Sequence, residues 1–368
     1  MNNINSNPNK DLDTKITFIL TLYKDNTYTE RFLKYFNTIQ SNSVLLIGDG
    51  KRSQAVKNLI ATYNNSNIKY FEFDDNTPQD YFYKLKYLLE KVETPYVMLC
   101  DNDDLFIVEN IRKCIQFLDQ NNDYAACGGL LFFFNIGKGY RKFKFYCPKN
   151  HSFSLNSKIP FERVSSYLQN YHTACWYHVH RKETISIAIN EFIKTGINDL
   201  LLMELFLAMA TASQGKILFN ANYIHYLRQL NSSQVNITIK SFASRVVLNN
   251  LGNEIAIFIQ ALHALITKNL SKKSGIIHAH KPLEKIRTLT VNYLEKAIIK
   301  VDCPKEICLL RKIVIKIGDK FKNLFLYPNY LKLLNFFRRE GANLNDINDI
   351  QKKIKLIAAH CEAFEKND

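Results

Sequence analysis

No run in this 368-residue chain reaches the roughly 18 consecutive apolar residues that a membrane-spanning helix requires, which excludes a transmembrane reading of the sequence. The segment Met1 to Lys10 is polar and rich in Asn, without the basic and apolar regions of a signal peptide, so the expected compartment is the cytosol. The eight cysteines, at 100, 114, 127, 147, 175, 303, 308 and 361, include no C-x-x-C pair and no regular framework. That excludes a disulfide-stapled scaffold and leaves reduced thiols that fill the core. No Gly-rich phosphate loop and no internal repeat is visible.

What is present is a composition for folding. At 46% apolar and 12% aromatic residues the chain can build one large domain and a smaller one around packed cores. The formal charge of +15 is uneven: from Lys240 to Asp368 there are 23 Lys and Arg against 12 Asp and Glu. A basic second part suits a polyanion or an anionic membrane surface, or is a solvated face that keeps the molecule soluble.

From Lys15 to about Phe134 apolar strand patterns alternate with helical ones. Strands are expected at Ile16 to Leu22, Val44 to Ile47, Ile68 to Phe73 and Tyr96 to Cys100, with helices from about Thr29, from about Ser53, from Gln79 to Val92 and from about Val108. This order predicts βαβ units and a mostly parallel sheet with helices on both faces. A Gly, Lys and aromatic segment from Asn135 to Ser157 reads as a loop or hairpin, Thr173 to Val179 as a strand, and Asp199 opens an apolar helix reaching Ala212. The expected organisation is a disordered tail over 1–14, an α/β domain over 15–235 and a basic helical part over 236–368.

The run Tyr96-Val97-Met98-Leu99-Cys100 drives straight into Asp101-Asn102-Asp103-Asp104. A short, continuously apolar strand is a buried one, and its carboxyl end opens at the sheet edge where ligands bind in open α/β folds. Crowded carboxylates raise one another's pKa unless a cation sits among them. Asp101 and Asp103, two residues apart, suit Mg²⁺ or Mn²⁺, hard ions that take one or two carboxylates plus phosphate and water oxygens. The competing reading is an acidic N-cap for the helix near Val108.

The order of these signals resembles the inverting GT-A glycosyltransferases of family 2, over residues 15 to 235. Ile16 to Asn26 looks like the first strand and the loop that approaches the nucleotide, which includes Tyr23. Leu45-Leu46-Ile47-Gly48-Asp49-Gly50 looks like the second strand, whose Asp hydrogen-bonds the base. Asp101-Asn102-Asp103-Asp104 is similar to the D-x-D motif, and the resemblance implies that Asp103 ligates the ion and Asp101 contacts the ribose or an ion-bound water. Asn198-Asp199-Leu200 resembles the Glu-Asp motif, with Asn198 in place of Glu, which makes Asp199 the general base. Tyr226-Leu227-Arg228-Gln229 is similar to the segment that meets the phosphates, with Arg228 as a second cation. The implied reaction is sugar transfer from a nucleotide-sugar donor to a glycan or lipid-linked acceptor, as in surface polysaccharide assembly.

Each assignment has a plainer counterpart in the residues themselves. Asp199 is equally placed to cap its helix, Arg228 to be a surface arginine, and Glu204, a lone acid among apolar neighbours, is the reserve base. His172, His178 and His180 lie close together but lack a nearby Cys or acidic third ligand, so they read as an acceptor cleft with Trp176 and Tyr177, or as packing, ahead of zinc. Gly128-Gly129 marks a close backbone approach or a turn. Lys312, Lys316 and Lys320 beside Ile313, Ile317 and Phe321 form a basic amphipathic helix, and Lys332, Arg338 and Arg339 repeat the theme. That pattern suits a peripheral membrane contact or a packed helix with a wet basic face. A nucleic-acid-binding protein would explain the basic helices but not the acidic cluster, so no nucleic-acid partner is expected. A nucleotidyl transferase would leave Asp199 and Arg228 idle, and a scaffold with a lost active site is the remaining class.

Overall fold

The structure is a computed structural model that describes residues 8–23, 27–39, 41–137, 140–145, 154–171, 175–229, 251–274, 285–286 and 288–290. The first strands run as the apolar runs predict: β1 (Ile16–Leu22), β2 (Val44–Asp49), β3 (Ile68–Glu72) and β4 (Tyr96–Cys100). They alternate with α2 (Thr27–Thr38), α3 (Gln54–Tyr63) and α4 (Pro78–Glu90). All five residues of β4 are buried, as are six of seven in β1, which is why neither shows polar alternation. Ser53 caps α3. Thr77 and Asp80 cap α4 reciprocally with Pro78 at its first position, a combination worth on the order of 1 kcal/mol per cap.

These four strands are parallel in the order β3-β2-β1-β4, but beyond β4 the sheet becomes mixed. After β5 (Leu105–Phe106) and α5 (Val108–Gln120) comes the long strand β6 (Tyr124–Gly137), which folds back on β7 (Tyr140–Phe145) as the hairpin expected after Asn135. A short connection between strands forces them antiparallel. The strand expected at Thr173 to Val179 is displaced: Cys175–Tyr177 is a 3₁₀ turn, and β8 (Val179–Arg181) follows it, antiparallel to both β4 and β6. Finally β9 (Lys216–Gln229) lies parallel to β6 and antiparallel to β5. The mostly parallel expectation therefore holds for the first half of the sheet and gives way to a mixed second half.

Helix α6 (Pro160–Gln169), α7 (Lys182–Lys194) and the apolar α8 (Leu200–Gln214) complete the α/β part. The helix α9 (Leu251–Ser274) lies against α6 and α8, with Phe258 edge-on to Phe206 at 5.6 Å and the Asn269 amide donating to Ser213 Oγ at 3.1 Å. Phe258, Leu262 and Ile266 are fully buried, so the start of the basic part shares the core of the α/β part. Burying one such side chain stabilises the contact by roughly 1.5–3 kcal/mol. The boundary expected at 235 and the basic stripe at Lys312, Lys316, Lys320, Lys332, Arg338 and Arg339 lie outside the described residues.

Part of the segment expected as a tail is helical. Pro8–Asp13 form a helix, α1, anchored by buried Leu12 and by Asp13, which takes a two-pronged contact from Arg112 at 2.8 and 2.7 Å. A bidentate arginine on a buried carboxylate is a strong tether, and it arises between residues 99 apart, beyond the reach of local pattern. Among the described residues no helix is long and apolar enough to cross a membrane.

Candidate active site

The parallel register brings the chemistry to one edge. Leu22 lies beside Asp49 and Leu20 beside Cys100, so the residues leaving β1, β2 and β4 emerge together at the carboxyl end of the sheet. The cavity between α4 and α7, about 300 Å³ and lined by Leu89, Lys182 and Ile189, belongs elsewhere: the Lys182 amide bonds to Pro95 O, at the amino end of β4.

Asp101, Asp103 and Asp104 offer carboxylate oxygens that all lie within 4.8 Å of one another. They do not cap α5, whose N-cap is Ile107 with no side-chain hydrogen bond, so the capping alternative is removed. Instead the cluster is wired to β9 and to the turn before β8. Tyr177 donates its hydroxyl to Asp101 Oδ2, stacks on Tyr226 at 4.2 Å, and carries the Arg228 guanidinium 4.9 Å over its ring. The Tyr226 hydroxyl accepts from the Asp101 amide at 3.1 Å. Asp104, 1% exposed, accepts the Gln229 amide at 2.8 Å and faces Arg228 Nε at 3.4 Å. Arg31, buried, donates to the Asp103 carbonyl at 2.5 Å and to Gln229 Oε1 at 3.1 Å, locking the acidic turn onto β9.

The electrostatics follow from this crowding. Burial and then Asp103 push the Asp101 carboxyl above its ordinary value, against the pull of Arg228 and Tyr177. Asp104 is pushed up further by the same two causes. Burial works against a charge on Arg228, yet Tyr177, Asp104 and Asp101 around it keep its guanidinium charged well above the ordinary range. Asp101 and Asp103 stay half-buried while Asp104 is committed to Arg228 and Gln229. The donor set therefore fits a divalent hard cation held by Asp101 and Asp103.

The second strand end behaves differently from expectation. Asp49 is 1% exposed, and its oxygens take hydrogen bonds from the Lys51 amide at 2.9 Å, the Ser53 amide at 2.8 Å and the Tyr70 hydroxyl at 2.7 Å. Its carboxylate shapes the turn into α3. Beside it Gly50 leaves space for Asp75, into which a Cβ would run, and Asp75 pairs with fully buried Lys84. Tyr23 is open at 45% exposure, with the Lys51 ammonium 5.1 Å from its ring centre.

Asp199 is buried at the start of α8 and accepts the Leu202 amide at 2.9 Å, the bond of an N-cap. Glu204 remains half-exposed, with Tyr171 hydroxyl 3.5 Å away, and its carboxyl is pushed up by burial and by Asp101 while Arg228 pulls it down. His178 and His180 are buried with His225, a neighbour the sequence did not suggest, and Gly128 leaves space for the His178 ring. Gly129 likewise lies hard against Tyr223, so both glycines serve close packing. The histidines gather no third metal ligand, since Asp101, Asp103 and Asp104 form the one metal-competent group among the described residues. His172 lies outside them. Trp176 and Tyr177 are buried, Tyr177 as part of the acidic site. Reading of the sequence missed Arg31 and the role of Tyr177, and nothing local in the sequence marks either.

An α/β sheet with an acidic turn at the carboxyl end of a central strand, backed by an arginine, is the frame of an enzyme that handles phosphorylated sugars or nucleotides. Residues 19–194 match the model of glycosyl transferase family 2, so this part of the chain is similar to that family and to its GT-A fold. Among solved structures, S. aureus TarS aligns with a TM-score of 0.43 at 13% identity, over 77% of this chain and 55% of that one. The chain thus spans 55% of the length of that TarS structure. TarS 1-349 in complex with UDP-GlcNAc aligns at 0.42 and 14% identity, over 77% of this chain and 92% of that one. The mannosyltransferase PcManGT from Pyrobaculum calidifontis, in complex with GDP-Man and Mn²⁺, aligns at 0.42 and 9% identity, over 89% and 84%. No curated protein sequence matches the chain.

Proposed function

We propose that the chain is a metal-dependent, inverting glycosyltransferase that moves a sugar from a nucleotide donor to a glycan or lipid-linked acceptor in surface polysaccharide assembly. The observation that carries this reading is the crowded carboxylate group at the end of β4, half-buried at Asp101 and Asp103 and paired with Arg228 at Asp104. Asp101 and Asp103 would hold Mn²⁺ or Mg²⁺, Asp101 also reaching the ribose side of the donor. When bound, the ion supplies positive charge for the diphosphate leaving group.

The chain's own residues do the rest. Arg228, held charged by Asp104 and stacked on Tyr177, offers planar donors to diphosphate oxygens. Tyr23, exposed where β1 ends, gives a flat surface to the nucleobase, with Lys51 above it. Asp49 supports this corner by fixing the turn under Lys51. Arg31 and Asp104 keep the acidic turn and β9 in one geometry, so the cations and carboxylates act on the same diphosphate. The excess of positive charge from Lys240 onward suits a contact with an anionic membrane surface, where a lipid-linked acceptor would lie. The acidic edge repels a nucleic-acid backbone. Release of nucleoside diphosphate from a panel of UDP- and GDP-sugars, with Mn²⁺ and with chelator, tests the reading, and product anomeric configuration by NMR tests inversion. Turnover indifferent to chelator would remove the metal from it.

A further inference from the structure

We propose that Glu204 is the group that takes the proton from the acceptor hydroxyl, and that Asp199 serves as the cap of α8. The proposal deepens the glycosyl-transfer reading and rests on it.

The geometry of α8 carries the argument. Through its first four turns this helix is buried on nearly every side, and the residues that reach solvent are Leu200, Leu201 and Glu204. Positions three and four apart share a helix face, so these three make a single short opening, and Glu204 is its only polar side chain. Asp199 is 3% exposed, with an oxygen bound to the Leu202 amide. A base must touch the proton it removes. Glu204 can be reached by an incoming hydroxyl, whereas Asp199 is shut in.

The surroundings of Glu204 point the same way. Helix α8 packs against the Cys175–Tyr177 turn, whose Tyr177 holds Asp101, so Glu204 stands on an element that borders the donor site, and the charges of Arg228 and Asp101 act on its carboxyl. Tyr171, with its hydroxyl 3.5 Å from Glu204 Oε1, adds an aromatic wall of the kind that suits a sugar ring. A carboxylate that reaches solvent beside a tyrosine is a place where an acceptor hydroxyl can be met.

The step balances within these groups. A lone pair of the acceptor oxygen forms the new bond to the anomeric carbon while its proton passes to a Glu204 oxygen. The bond from that carbon to the diphosphate oxygen breaks, and its electron pair leaves with the nucleoside diphosphate beside Arg228. The proton on Glu204 is then lost to solvent.

The test follows nucleoside diphosphate release from UDP-GlcNAc, UDP-glucose and GDP-mannose with Mn²⁺, with and without sodium azide, in the full chain and in Glu204→Gln and Asp199→Asn. Azide attacks without a proton to lose, so it restores rate to a site that lacks only its base. Glu204→Gln is expected to lose about 10²- to 10⁴-fold in turnover, to bind nucleoside diphosphate as before, and to recover with azide while making the glycosyl azide. Azide is expected to leave Asp199→Asn unaffected. Near-normal turnover in Glu204→Gln, a loss that azide does not restore, or azide rescue of Asp199→Asn instead would each overturn the assignment. If the unaltered chain consumes none of these donors and binds no nucleoside diphosphate, the glycosyl-transfer reading itself falls, and this assignment with it.

Discussion

Asp49 and Asp101 stand at the carboxyl ends of β2 and β4, the two strands that flank β1, yet their carboxylates have opposite fates. Asp49 is sealed in and satisfied by three hydrogen bonds from its own chain. Asp101 stays half-exposed, receives Tyr177, and sits in a crowd of like charge. A carboxylate whose lone pairs are filled from within holds the fold, and one held among other carboxylates at an open edge is poised for a cation from outside. The same contrast separates Asp199, a cap, from Glu204, an open acid on the next turn.

Three changes sharpen the comparison. The largest effect on stability is expected where the two kinds of carboxylate meet, at Asp104. Replacing Asp104 with Ala strips Arg228 of its ion-pair partner and Gln229 of its acceptor, and removing one member of a buried pair costs about 3 kcal/mol or more, read from urea unfolding. Asp49→Ala is expected to cost less, about 1–3 kcal/mol, because its three donors are left without an acceptor but no charge is stranded. In that variant the metal dependence of nucleotide binding should persist; its loss would place Asp49 in the donor site. The mildest is acidification. Burial holds His180 and His225 down at about 4, against 6.5 when unfolded, so the unfolded chain binds more protons below 6.5. Stability should therefore be level above pH 6.5 and fall as pH drops from there towards 4, seen as a declining melting temperature. A melting temperature that rises as pH drops through that window would show that the raised carboxyls of Asp101, Asp104 and Glu204 outweigh these rings.

The parallel half of the sheet was legible because a strand buried on both faces must be apolar throughout, and Tyr96 to Cys100 appears in the structure with those bounds. The helix expected from Gln79 to Val92 appears as Pro78–Glu90, its start set by the Thr77 and Asp80 cap. The mixed half was not legible, since a three-residue strand such as Val179–Arg181 carries too few residues for a period, and its partners β4 and β6 are chosen by packing. The same limit applies to the site. The acidic turn could be read from adjacent residues, whereas Arg31 reaches Gln229 across 198 positions and Tyr177 reaches Asp101 across 76. The fate of Asp49 was hidden for a related reason: an Asp-Gly at a strand end reads alike whether its carboxylate faces a ligand or, as here, bonds back to the turn and to Tyr70.

Calorimetric titration of UDP and GDP into the protein, first with Mn²⁺ and then after chelation, tests the central claim most directly. With the ion present, at least one nucleotide should bind, chelation should abolish most of that affinity, and Asp103→Asn should weaken it at least tenfold without lowering the melting temperature. An ion held by fewer oxygens is held less tightly and neutralises the diphosphate less well. Equal affinity with and without the ion, or an Asp103→Asn variant that binds like the unaltered chain, would contradict the account.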